Sequence, residues 1–276
     1  MSQTLPPAPN EGRVVSQTAL WVLVGVVIGF GLPVLLCTCL TFGTALVFNR
    51  VLDEFSQTAI TDPVDDGGGP AVGVIDLRGP ILAGALTSTS ETRMIEQIEW
   101  MEKHPNIEAI VIRANSPGGD ANASDVIWHA LDQVEKPVVL WIDGLCASGC
   151  YYIGSASDEI YATPNSLVGS IGVISTFISV EDLTDKIGVD VTIVATGDWK
   201  DFGSYFDEMS EEEQAYWRTV IEEAYTNFIQ VVAQGRSLSE EQVRELADGR
   251  VWSVQKAKEF GLVDTVGYER DALDRA

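Results

Sequence analysis

A serine beside a turn is the first residue of this sequence whose surroundings suggest chemistry. Ser148 lies in GLCASGCYYIG at 144–154, where small residues follow a predicted strand and precede a predicted helix. A serine at such a junction exposes its hydroxyl, and the next backbone N–H groups point the same way, as a nucleophile requires. Taken alone, a serine among small residues is more often a packing residue or a helix cap.

A serine nucleophile needs a base, and lysine is the better candidate here. The two histidines, His104 and His129, lie in unrelated segments, so a Ser-His-Asp triad has weak support. Lys200 stands in TGDWKDFGS between a tryptophan and a phenylalanine. A lysine can act as a base when burial lowers its pKa, although an aromatic-flanked lysine is by itself more often a surface residue.

A second turn offers backbone hydrogen-bond donors. NSPGG at 115–119 directly follows the apolar run EAIVIRA and directly precedes a helical segment that begins near Ala121. Free N–H groups at a helix start can hold a phosphate or stabilise an oxyanion. The phosphate alternative is weaker because no Lys-Ser or Lys-Thr pair follows, as a P-loop requires. A tight turn without a chemical role is the ordinary explanation of this motif taken alone.

The cysteines do not form a metal-binding pattern. Cys146 and Cys150 are four residues apart without two further ligands, and Cys37 and Cys39 lie in an apolar N-terminal stretch. We therefore expect neither a metal nor a cofactor. A disulfide between Cys146 and Cys150 is doubtful across so short a turn, and packing is the favoured explanation of Cys150.

The elements that position these motifs alternate between strands and helices. Six β-rich runs are predicted strands, at 71–77, 108–114, 137–143, 158–164, 169–175 and 189–195. Helical segments are predicted between several of them, at 89–103, 121–134, 149–156 and 180–187. Near-continuous apolar strands that alternate with helices indicate an α/β fold whose sheet is covered on both faces.

The C-terminal region is predicted to be helical. Ser210 and Ser239 each precede a Glu or Gln by three positions, which is the capping-box spacing, and a third helix is expected after Ser253. In the first of these helices apolar residues recur every four positions from Tyr216 to Phe228. This repeat predicts one apolar face along the helix.

The N-terminal part is predicted to anchor the chain in a membrane. No residue from 14 to 49 is charged, and this run exceeds the roughly 20 residues that span a bilayer. A cleaved signal peptide would have a shorter apolar region, of about 7–15 residues. The predicted organisation is a short tail at 1–17, a transmembrane anchor at 18–48, a linker at 49–70 and a folded domain at 71–276.

The charge balance excludes a nucleic-acid partner. The chain has 41 acidic and 17 basic residues, for a formal net charge of −24, and no basic stripe. Phosphate binding needs clustered Lys and Arg. A solvated, repulsive surface is the favoured explanation of the acidic excess.

Four motifs stand together in the order of a known family. NSPGG, CASGCYYIG, GSIGV and GDWKDFGS resemble the motifs of the signal peptide peptidase SppA (protease IV) family, and the resemblance covers about residues 72–266. It implies a crotonase- or ClpP-like spiral of ββα units with C-terminal helices, and the transmembrane helix predicted from the uncharged run would precede this fold. One residue departs from the family pattern, because Cys150 stands where the family has glycine; Cys150 as the true nucleophile is the least favoured explanation.

The resemblance implies a serine endopeptidase with a Ser/Lys dyad. Ser148 would attack the scissile carbonyl, Lys200 would be the general base, and Ser170 would orient the lysine. Three glycines would form or permit the oxyanion hole, namely Gly118, Gly119 and Gly149.

The resemblance also implies partners and a location. The substrates would be signal-peptide remnants or other membrane-derived peptides. The enzyme would be an octameric ring on the bacterial cytoplasmic membrane, with its catalytic domain extracytoplasmic and its dyad completed between subunits. Two alternatives stay open: a catalytically weakened relative that binds or scaffolds peptides, and a crotonase-type acyl-CoA enzyme.

Overall fold

A computed structural model describes residues 69–84 and 89–276. The predicted tail, the predicted transmembrane anchor and all but the end of the predicted linker lie outside the described residues. In the part of the chain that the structure describes, no helix has the length and hydrophobicity needed to cross a bilayer.

A mostly parallel sheet organises the described residues. Its strands are β1 (Ala71–Arg78), β2 (Ile107–Ser116), β3 (Val138–Ala147), β4 (Glu159–Ala162), β5 (Leu167–Gly169), β6 (Val251–Ser253) and β7 (Thr265–Val266). The strand order is β1-β2-β3-β4-β7, all parallel. β5 pairs with β3, and β6 pairs with β5 in the antiparallel sense. The predicted α/β class is therefore confirmed.

The helices cover this sheet and extend beyond it. They are α1 (Glu91–Lys103), α2 (Ala121–Asp132), α3 (Gly149–Gly154), α4 (Glu181–Ile187), α5 (Glu211–Arg236), α6 (Glu240–Leu246), α7 (Val254–Glu259) and α8 (Glu269–Arg275). Both predicted capping boxes are present, at Ser210 and Ser239. Each box satisfies N–H groups that the first turn of a helix leaves unpaired.

The two central strands explain the long apolar runs of the sequence. Ile110, Val111 and Ile112 are consecutive residues of β2, and all three are fully buried. Consecutive buried residues point to opposite faces of a strand, so both faces of the sheet are covered at β2.

β3 changes its neighbour along its length. Its first half, from Val139 to Ile142, pairs with β4, and its last residues, from Leu145 to Ala147, pair with β5. On its other side, the register with β2 shifts before Ser116 pairs with Cys146. The carboxyl end of β3 therefore lies between the end of β2 and β5, and this is where the predicted nucleophile stands.

Two predicted strands are wrong in whole or in part. The predicted strand at 169–175 ends at Gly169, and residues 189–195 form no strand. Val194 is 92% exposed, although its segment VDVTIVA has the composition of a buried strand. A strand needs a paired edge as well as apolar side chains, and no described strand pairs with this segment.

The apolar face of α5 is buried only toward its C-terminal end. Phe228, Ile229 and Val232 belong to the main core, whereas Tyr216 is 54% exposed. The predicted apolar face is therefore real, but the single chain covers only its second half.

Tyr151 connects the helix after β3 to the C-terminal part of the core. It is fully buried, and its hydroxyl donates to the Leu262 carbonyl oxygen at 2.8 Å. Burial raises the pKa of Tyr151, so the phenol keeps the proton that it donates.

We expect Tyr151→Phe to lower the free energy of unfolding by about 1–3 kcal/mol, because it leaves a buried carbonyl without its donor. Urea denaturation followed by tryptophan fluorescence measures this. Tyr205→Phe is the matched control, since Tyr205 is 64% exposed. Equal urea midpoints for the two variants would contradict the expectation.

Candidate active site

Ser148 stands at a sharp corner between β3 and α3. It is the N-cap of α3, with φ 53° and ψ −123°, and its side chain makes no capping hydrogen bond. Non-glycine residues in such sparsely populated regions cost about 1–3 kcal/mol and persist where the surroundings enforce them, often at functional sites. Ser148 is only half-buried, so its hydroxyl is available for chemistry.

Backbone hydrogen bonds hold this corner on both sides. The Ser148 N–H donates to the Gly169 carbonyl oxygen at 2.8 Å. The Ser148 carbonyl oxygen accepts from the N–H groups of Tyr151 at 2.8 Å and Tyr152 at 2.9 Å. The serine is thus tied to β5 on one side and to the first turn of α3 on the other.

The NSPGG turn packs directly against the corner. Gly118 has φ 90°, and a Cβ there would lie 2.6 Å from the Gly149 nitrogen. A Cβ at Gly119 would lie 2.0 Å from the Ile81 carbonyl oxygen. Ile81 holds the turn with two hydrogen bonds, one to the Gly118 carbonyl oxygen and one from the Asp120 N–H, both at 2.9 Å. Only glycine permits these backbone approaches.

Two N–H groups at this contact have no protein acceptor. Within residues 69–84 and 89–276, neither Gly119 nor Gly149 donates its N–H in a hydrogen bond. The two groups are neighbours, because a Cβ at Gly149 would lie 3.3 Å from the Gly119 nitrogen. Gly149 begins α3, where the helix dipole favours negative charge. A pair of free donors next to a serine hydroxyl can stabilise a tetrahedral oxyanion.

Ser124 explains why position 149 is glycine. A Cβ at Gly149 would lie 2.2 Å from the Ser124 Oγ. This hydroxyl is buried, and it donates to the Asp120 carbonyl oxygen at 2.8 Å. The pattern of small residues around Ser148 indicated a tight corner, but no feature of the sequence pointed to Ser124.

Ser170 lies beside the same corner. It follows Gly169, whose carbonyl oxygen accepts from Ser148, and it also has a positive φ, of 51°. Its own N–H donates to the Arg250 carbonyl oxygen at 2.8 Å. Ser170 is therefore adjacent in sequence to the residue that accepts the Ser148 N–H.

Lys200 lies in the segment between α4 and α5. It is exposed, and none of the hydrogen bonds or ion pairs between described residues joins it to Ser148 or Ser170. Its loop is held by aromatic contacts with the start of α5: Trp199 lies 5.1 Å from Tyr216, and Phe202 lies 5.3 Å from Trp217, between ring centroids. The described residues thus do not bury Lys200.

The doubt about a Cys146–Cys150 disulfide was wrong, whereas Cys150 is buried in the main core, as expected of a packing residue. Cys146 and Cys150 form a disulfide, with their Cα atoms 5.2 Å apart. This separation is ordinary for a disulfide, and it arises because the chain turns sharply at Ser148. The spacing of the two cysteines around the serine was the available signal. In the described ranges, no group of acidic, histidine and cysteine side chains could hold a metal ion.

We expect Gly118→Ala to destabilise the fold and disturb the corner, since an alanine would combine a positive φ with contact against the Gly149 nitrogen. The strain at φ 90° alone is expected to lower the free energy of unfolding by about 1–3 kcal/mol. Urea denaturation measures the loss. Gly69→Ala is the control, because a Cβ there has nothing within 4 Å; equal effects of the two substitutions would contradict the packing described.

Two protein-family models match parts of this chain. Residues 130–276 match the family model described as Peptidase family S49, and residues 74–169 match the one described as Clp protease. Protease 4 of Salmonella typhi is 37% identical over 228 residues, covering 81% of this chain and 36% of that protein. A relative from Methanocaldococcus jannaschii is 38% identical over 183 residues, covering 66% of this chain and 59% of that protein. The chain thus spans less than two thirds of the length of either relative.

A solved structure has the same fold. The ClpP1 N165D mutant from Listeria monocytogenes superposes with a TM-score of 0.50 at 18% sequence identity, covering 72% of this chain and 94% of that chain. The predicted ClpP-like arrangement of the sheet and helices is confirmed. None of these matches supports the acyl-CoA alternative.

Proposed function

Because the chain belongs to peptidase family S49, which includes the protease 4 (SppA) enzymes, we propose that it is a serine endopeptidase with Ser148 as nucleophile and Lys200 as general base. The observation that carries the proposal is the half-buried hydroxyl of Ser148, held at a positive φ beside the N–H groups of Gly119 and Gly149, which no described residue accepts. The substrate class is peptides.

The chemistry follows from this arrangement. The Ser148 Oγ attacks the scissile carbonyl carbon while the neutral amine of Lys200 takes the hydroxyl proton. The Gly119 and Gly149 N–H groups stabilise the oxyanion of the tetrahedral intermediate. Lys200 then gives the proton to the leaving amine, and water hydrolyses the acyl-enzyme with the same lysine as base. Ser170 orients the lysine amine, and Gly118 keeps the two donors close.

The base comes from a neighbouring copy of the chain. Lys200 is exposed, and so are many apolar residues of the surrounding segment, including Ile174, Ile178 and Val194. An apolar surface of this extent on a soluble domain favours association. A head-to-tail contact between identical chains closes a ring when its rotation closes. We take the ring to be octameric, with Lys200 of one copy delivered to Ser148 of the next.

We propose that the peptidase domain, residues 71–276, lies on the extracytoplasmic side of a bacterial membrane. The uncharged run predicted as an anchor at 18–48 supports the membrane attachment. The Cys146–Cys150 disulfide supports the extracytoplasmic location, because disulfides persist in oxidising compartments. Signal-peptide remnants and other membrane-derived peptides fit an enzyme held at that surface.

Replacing either member of the dyad is expected to abolish peptide cleavage. Ser148→Ala should lower kcat/KM by at least about 10³-fold, because no nucleophile remains. Lys200→Ala should lower it by roughly 10²–10⁴-fold, which is the usual contribution of a general base. A fluorogenic peptide assay with the full chain measures both. Lys186→Ala, on exposed α4, is the lysine control, and full activity in Lys200→Ala would refute the assignment.

Co-expressing Ser148→Ala and Lys200→Ala chains, with different affinity tags, tests whether the dyad crosses subunits. In mixed rings an intact Ser148 meets an intact Lys200 from its neighbour at about a quarter of the sites if the chains mix randomly. Rings purified through both tags should therefore regain about a quarter of the activity. No recovery in rings shown to contain both chains would place the dyad within one chain.

Labelling by a fluorophosphonate probe separates the peptidase from a peptide-binding scaffold. The wild-type chain should label at Ser148, and the Ser148→Ala chain should not. A chain that binds peptides without labelling would instead be the catalytically weakened relative.

A further inference from the structure

The disulfide encloses the nucleophile. Cys146 and Cys150 each lie two residues from Ser148, one in the last part of β3 and the other in the first turn of α3. Both cysteines are fully buried in the main core, whereas Ser148 is half-buried. The covalent tie is therefore on the buried side of the corner.

The strand side of this tie is firmly held in the sheet. Cys146 pairs with Ser116 of β2 on one side and with Val168 of β5 on the other. Cys150 lies next to Gly149, whose N–H is one of the two oxyanion donors of the proposed function. The disulfide thus fixes the start of α3, and with it this donor, to the end of β3, which is paired with a strand on each side.

We propose that the Cys146–Cys150 disulfide is a positioning element for catalysis, which holds the Ser148 hydroxyl and the Gly149 N–H in their reactive arrangement. This inference rests on the proposed peptidase function. A serine at φ 53° tends to relax toward a common backbone conformation unless its surroundings prevent it. Three backbone hydrogen bonds resist this relaxation. The disulfide also resists it, because it joins the residues before and after Ser148 covalently.

The oxidation state of this pair therefore sets the activity. A dithiol such as dithiothreitol reduces the disulfide: each cysteine sulfur gains one electron and one proton, and the reductant becomes a cyclic disulfide. Both sulfurs are buried, so reduction requires transient opening of the corner and is slow in the native protein. An oxidant such as oxidised glutathione reverses it.

The first test measures peptide cleavage before and after reduction of the full chain. The chain used in this test carries Cys37→Ser and Cys39→Ser, so that thiol titration reports only Cys146 and Cys150. Reduction should expose two thiols per chain and lower kcat about 10-fold, because small misplacements of reacting groups are costly in rate, with KM changed by less than about twofold. Reoxidation should restore kcat. Unchanged kcat in a fully reduced, folded chain would overturn the inference.

The second test removes the pair by mutation in the same background. Cys146→Ala/Cys150→Ala should show the lowered kcat, a matching slower reaction of Ser148 with a fluorophosphonate, and no response to dithiothreitol. Val139→Ala is the control for general core loss, since Val139 is buried in β3 but belongs to a separate core cluster. Val139→Ala should lower the melting temperature and leave kcat unchanged. If the double variant does not fold, the measurement of kcat in the reduced parent chain still tests the inference.

The outcomes separate this inference from the proposed function. A parent chain that neither cleaves peptides nor labels at Ser148 contradicts the peptidase itself. A parent chain that cleaves peptides equally well when oxidised and reduced contradicts only the role of the disulfide.

Discussion

The contact on which the site depends is between two pieces of backbone, the turn after β2 and the corner after β3. Gly118 approaches the Gly149 nitrogen so closely that no side chain fits between them. The register shift between β2 and β3 produces this approach, because it brings Ser116 opposite Cys146. Without it, the Gly119 and Gly149 N–H groups would not be neighbours. A backbone contact of this kind is precise because it involves no rotatable side chain.

The corner itself is held in an unfavourable conformation by its surroundings. Ser148 costs about 1–3 kcal/mol at its positive φ. The residues that follow it in α3, from Gly149 to Gly154, are all buried, and burying one large apolar side chain gains about 1.5–3 kcal/mol. The helix therefore offsets the strain of its own N-cap. β5, Ile81 and the disulfide then leave the corner no room to relax.

The described chain has two parts that differ in how much of their apolar surface is buried. The sheet with α1, α2 and α3 has a continuous buried core. The segment from about residue 174 to residue 206 is largely exposed despite its apolar composition, and it carries Lys200. The proposed nucleophile and its proposed oxyanion donors thus belong to the part with the continuous core, whereas the proposed base belongs to the exposed segment. This division is the physical reason to expect function only in an assembly.

The sequence by itself determined what depends on local pattern. The apolar runs predicted β1 to β4, the serine spacing predicted the capping boxes of α5 and α6, and the small residues around Ser148 and after Pro117 predicted the two turns. Only the tertiary structure decided the rest. VDVTIVA looks like a strand but pairs with no described strand, Cys146 and Cys150 join because the corner is sharp, and Lys200 is exposed without a hydrogen bond to Ser148 among the described residues. The reason is that a local pattern reports which residues can be buried or bent, whereas partners, distances and exposure depend on segments far apart in the chain.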